Sequence, residues 1–119
     1  MSQLVSFTTV DGDAINITST AIELVVDNTT ERKLYYDLGG VTAKQADVTE
    51  DLATIIADAQ DVITLTTQGL SVLFSVPRII SVEADGTGSK VFYDGKGIDA
   101  DIHIVDENPA AIDQLVVDL

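Results

Sequence analysis

The single histidine, His103, is the first residue whose type could do chemistry. A histidine serves as a general base when a nearby carboxylate orients it, and Asp99 and Asp101 lie close by along the chain. Strand alternation groups His103 with Asp101 and Val105, on the face opposite Ile102 and Ile104, so the pattern predicts a surface strand residue rather than a base. No nucleophile signature accompanies it: the chain has no cysteine, and no G-x-S-x-G elbow occurs. The acidic clusters come second. Asp11 with Asp13, or Asp94 with Asp99 and Asp101, could offer oxygen ligands to a hard cation such as Ca²⁺. The later group lacks the spacing and the terminal glutamate of an EF-hand loop, and since 15 of the 20 acids are aspartate, close pairs arise from composition alone. The segments Asp85-Gly86-Thr87-Gly88-Ser89-Lys90 and Asp94-Gly95-Lys96-Gly97 match neither a P-loop nor a dinucleotide-binding turn. They read as turns between strands, where glycine supplies positive φ. No catalytic residue, metal or cofactor is expected, and the chain reads as non-enzymatic.

The elements that carry these residues come in two copies. Displaced by 57 positions, residues 22–58 align without a gap on 79–115, and 12 of these 37 pairs are identical. Chance would give about two or three, because most residue types each make up less than roughly a tenth of a chain. Upstream, Phe7-Thr8-Thr9 matches Leu65-Thr66-Thr67 only if one residue is gained in the following turn, and such length changes belong in loops. The sequence therefore predicts a tandem duplication, residues 1–60 and 61–119, the two halves packed closely because a unit of roughly 60 residues is marginal alone.

Each half predicts four or five short strands and a helix. Ile, Val and Thr dominate the apolar and β-branched positions, which favours half-buried pleated surfaces. Strands are expected at 4–9, 14–18, 22–27, 32–37 and 45–48, and again at 62–67, 70–76, 78–84, 89–94 and 100–105. Asp11-Gly12-Asp13, Gln68-Gly69, Gly39-Gly40 and Gly95-Lys96-Gly97 are turn signals. Asn108-Pro109 opens a helix with a cap and a first-turn proline, and Ile112, Leu115 and Val116 give it one apolar stripe. Ile55, Ile56 and Ala59 do the same in the first half. The expected class is α+β, mainly β: two antiparallel meanders, each an SH3- or Sm-like barrel or bent sheet with a C-terminal helix, related by a pseudo-two-fold.

The copies differ on one strand face. Ile22, Leu24 and Val26 share a face by alternation, while their partners are Ile79, Ser81 and Glu83. The first copy keeps that face apolar, which marks Ile22, Leu24 and Val26 as an interface toward the second half or another subunit.

Charge limits the partners. Twenty acids against six bases leave a net charge of −14. Such a field repels phosphate backbones and anionic membranes, so neither nucleic acid nor membrane is expected to bind. Met1–Phe7 lacks a basic, then apolar, leader pattern, which predicts a chain that is not secreted. No apolar run approaches a membrane-spanning length.

The run Val76-Pro77-Arg78-Ile79-Ile80-Ser81-Val82-Glu83-Ala84-Asp85-Gly86-Thr87-Gly88-Ser89-Lys90-Val91, with Val105-Asp106-Glu107-Asn108-Pro109 after it, resembles small acidic β-rich proteins of tailed bacteriophages, marine cyanophages in particular. The resemblance implies a virion or assembly role, cytoplasmic or virion-associated, with a homo-oligomer or other virion proteins as partners. A Ca²⁺ or small-ligand binding module is the alternative.

Overall fold

A computed structural model describes residues 4–37, 44–59, 61–94 and 102–119. The turns at Gly39-Gly40 and Gly95-Lys96-Gly97, and the acids Asp99 and Asp101, lie outside them. The class is mainly β, with antiparallel sheets and a short C-terminal helix.

The first half holds β1 (Leu4–Thr8), β2 (Ala14–Thr18), a 3-10 turn (Ser19–Ala21), β3 (Ile22–Asp27), β4 (Arg32–Tyr36), β5 (Lys44–Val48) and α1 (Leu52–Asp58). The second half repeats the order: β6 (Val62–Thr67), β7 (Leu70–Ser75), a 3-10 turn (Val76–Arg78), β8 (Ile79–Asp85), β9 (Gly88–Tyr93), β10 (Ile102–Val105) and α2 (Pro109–Val117). Local chemistry sets the boundaries. Gln68 and Gly69 both take positive φ, 51° and 80°, as a two-residue hairpin turn requires. Asn108 caps α2 by accepting from the Ala111 N–H at 2.8 Å, and Asp51 caps α1 through the Thr54 N–H. Those bonds to Thr54 hold the Asp51 carboxyl below the usual range. Gly88 has no alternative: a Cβ there would stand 2.2 Å from the Val105 carbonyl oxygen.

Strand pairing departs from the expected meander. Three sheets form, β1-β2, β10-β9-β8 and β5-β4-β3-β7-β6. The 3-10 turn after β2 carries the chain away, so β3 does not return beside β2. It pairs instead with β7 of the other half, Leu24 opposite Phe74, Val25 opposite Leu73 and Val26 opposite Val72. The closed barrel is therefore absent. A closed two-fold is not formed either. It would pair β2 with β8 as β7 pairs with β3, yet among the described residues β2 pairs only with β1 and β8 only with β9.

Two buried clusters result. Val5, Phe7, Ile17, Ile22, Val25, Leu34, Val48 and Ile55 fill the first, and Leu73 enters it from the second half. The second is built on Ile63, Leu65, Val72, Phe74, Val91, Tyr93, Val105 and Ile112, and Leu24 enters it from the first half. Each core is thus completed by a side chain of the other half. Leu73→Ala should lower stability by about 2–5 kcal/mol in urea denaturation. Ile104→Ala, at a side chain 52% exposed, should change it by no more than about 0.5 kcal/mol.

Candidate functional site

The seam between the halves holds a buried ion pair. Arg78 closes the second 3-10 turn and reaches across, placing Nη1 2.9 Å from Glu23 Oε1 and Nη2 3.6 Å from Asp37 Oδ2. The Glu23 side chain is fully buried and that of Arg78 is 18% exposed. A carboxylate removed from water needs such a charged partner. Tyr93 adds a second link: its hydroxyl accepts from the Ser75 N–H at 2.8 Å and donates to the Glu23 carbonyl. Burial pushes that hydroxyl well above the ordinary tyrosine range, so it stays protonated and donates at any physiological pH. Over this group lies a cavity of about 290 Å³ lined by Ser19, Thr20, Asp61, Ser75, Pro77 and Arg78. It offers an arginine already engaged by two carboxylates, together with the Asp61 carboxyl and the side chains of Ser19, Thr20 and Ser75. The Arg78 ion pairs and the Tyr93 hydroxyl tie the two halves together at this point.

Arg32 is spent in a similar way. Its Nε donates to the Glu50 carbonyl at 2.8 Å, Nη2 to the Thr49 carbonyl at 3.0 Å, and Nη1 lies 3.2 Å from Asp27 Oδ1. Both arginines of the chain are thus engaged inside the fold.

The candidate residues from the sequence fall as follows. Leu24 and Val26 face Phe74 and Val72 across the seam. Ile22 parts from them, because the register shifts between Ile22 and Leu24, and it enters the first cluster beside Val25. His103 is not the surface residue that alternation predicted. Ile102 and Ile104 are the exposed ones, at 46% and 52%, while the His103 ring stands edge-on to Phe74 and Tyr93, with centroids 5.3 and 5.7 Å away. Asp11 and Asp13 border a cavity of about 290 Å³ that Lys44 also lines. Among the described residues no three His, Cys, Asp or Glu side chains gather as a metal site. Sequence reasoning missed Glu23 and Arg78. A signal was present: a lone acid inside the run Ile22-Glu23-Leu24-Val25-Val26, in a chain with two arginines.

A third cavity, of about 370 Å³ and mostly apolar, lies between β8 and α2, lined by Val76, Ile79, Val82, Pro109, Ile112, Asp113 and Val116. No helix among the described residues is long and apolar enough to cross a membrane.

No protein-family model matches the sequence, and a search of curated proteins finds no match. A search of solved structures does find one. The LytTr DNA-binding domain of a protein described as a methyl-accepting/DNA response regulator, from Bacillus cereus, superposes with a TM-score of 0.60. The match covers 93% of this chain and 91% of that one, at 12% identity. The chain has the LytTr-domain fold. This likeness corrects the functional expectation. A virion structural protein, a Ca²⁺ module and the exclusion of nucleic acid are overturned by a structural neighbour that is a DNA-binding domain. The exclusion had rested on net charge alone, and net charge does not determine fold.

The seam makes its own prediction. Arg78→Ala strands a buried carboxylate and should cost about 3–5 kcal/mol in chemical denaturation. Adding Glu23→Ile should recover most of that loss, because the charge needing a partner is then gone.

Proposed function

We propose that the chain is a non-enzymatic module that acts by binding double-stranded DNA. The LytTr fold, matched over 93% of the chain, carries this reading. The repeated element order supports descent from a duplicated unit.

The charge sets the terms of such binding. Of the six bases, Arg32 and Arg78 are engaged within the fold. Lys33 and Lys90 occupy equivalent positions on β4 and β9. The Lys33 ammonium stands 3.8 Å from Asp47 with its side chain 37% exposed, an ion pair loose enough to exchange for a phosphate. Few phosphates can be neutralised this way, so most of the affinity must come from hydrogen bonds to base edges and from groove shape.

Fluorescence anisotropy with labelled duplexes of mixed sequence, across a salt series, tests the proposal. Neutralisation of two phosphates gives a slope of log K against log salt of about −2. Lys33→Ala with Lys90→Ala should flatten that slope toward zero and weaken binding to all sequences alike. No binding to any duplex at low salt would overturn the reading.

A further inference from the structure

We infer that copies of this chain associate head to tail, the β8 edge and the apolar groove beside it receiving the β1-β2 hairpin of the next copy. This goes beyond the DNA-binding reading and stands on different observations.

The starting point is the internal seam. There the edge of β3 accepts β7, and the second half's Leu73 and Val62 enter or pack on the first core. The repeat places the two strands of that seam a second time, at edges that pair with no further strand among the described residues, although the counterpart of Leu73 is the polar Asn16. β8 is the counterpart of β3, and its outer edge is open; β2 is the counterpart of β7, and its outer edge is open too. The two open edges are complementary in kind, one of each type, at opposite roles. An interface of that sort is heterologous and propagates to a ring or a filament.

The groove follows the same rule. Its lining residues Ile79, Val82 and Ile112 are the counterparts of Ile22, Val25 and Ile55. In the first half these three are buried to within 2%, with Leu73 and Val62 of the other half packed on their cluster. In the second half Ile79 and Val82 are only partly buried, and the groove of about 370 Å³ stays open. The counterpart of Val62 is Leu4, given the one-residue difference in the first hairpin, and Leu4 is 69% exposed. An unfilled apolar groove and an unburied apolar side chain thus occupy the two matching ends.

The substitutions across the outer seam are paired. Glu23 and Arg78, the ion pair of the inner seam, correspond to Ile80 and Ala21. Both members have become apolar together. Ile80 is 70% exposed in the single chain, and in the head-to-tail register it lies opposite Thr18 of the next copy, with Ala21 beyond it in the turn that follows. The same register sets Ser81 opposite Ile17, Val82 opposite Asn16 and Glu83 opposite Ile15. These positions are more polar than Leu24/Phe74, Val25/Leu73 and Val26/Val72 inside. The outer seam is therefore weaker than the inner one and reversible. Each copy carries a net charge of −14, so association must strengthen as salt screens the repulsion, the opposite of the salt response of DNA binding.

Sedimentation velocity of the full chain, over a concentration series at low and high salt, tests this. The mass should rise with concentration, and rise further in high salt. Ile80→Lys and Leu4→Lys alter exposed side chains on opposite ends, so each variant should keep its far-ultraviolet circular dichroism and sediment as a monomer. An equimolar mixture should recover a dimer, since each variant retains the end that the other lacks. Amide exchange of Ile80–Glu83 should slow with protein concentration in the unmodified chain. A monomer at every concentration and salt, or a mixture that stays monomeric while the unmodified chain associates, would overturn the inference.

Discussion

The antiparallel ladder between β3 and β7 is the interaction on which the rest of the structure depends. It joins strands from the two halves through Leu24–Val26 and Val72–Phe74, and it places one leucine of each half in the core of the other. A unit of roughly 60 residues buries about 60% of its unfolded surface and is marginal alone. Sharing cores across a central sheet answers that limit without a disulfide, for which the chain has no cysteine. The ladder also explains why a full carboxylate can be buried. Glu23 lies on β3 where Arg78 and Tyr93 converge from the other half, and separating the halves would strand it.

What the sequence made legible was local. The turns at Gln68-Gly69 and the cap at Asn108 appear where their side chains and backbone freedom require them. The strands follow the β-branched alternation closely, since alternation is a property of a few adjacent residues. Pairing is not local. Nothing in Ile22–Asp27 states whether its edge meets β2 or β7; that was decided by a three-residue 3-10 turn at Ser19–Ala21. The register shift after Ile22 defeated simple alternation for the same reason, as one extra residue flips every side chain that follows. The expectation for His103 failed because the sheet buries that face against Phe74 and Tyr93, whereas Ile102 and Ile104 stay outside.

Charge was the most misleading bulk property. A net charge of −14 argues about association and salt response, and it bears on partners only through where the charges sit. The two arginines hold corners and seam, so they cannot steer a ligand. Among the described residues, Lys33, Lys44 and Lys90 lie on strands β4, β5 and β9.

The central claim is that the halves are one cooperative unit joined at β3 and β7. Native-state amide hydrogen exchange measures it most directly. The account predicts that the protected amides of Leu24–Val26 and Val72–Phe74 exchange only through global unfolding, in the slowest class of the molecule. Exchange of those amides through a cheaper opening, while the strands within each half remain protected, would contradict it.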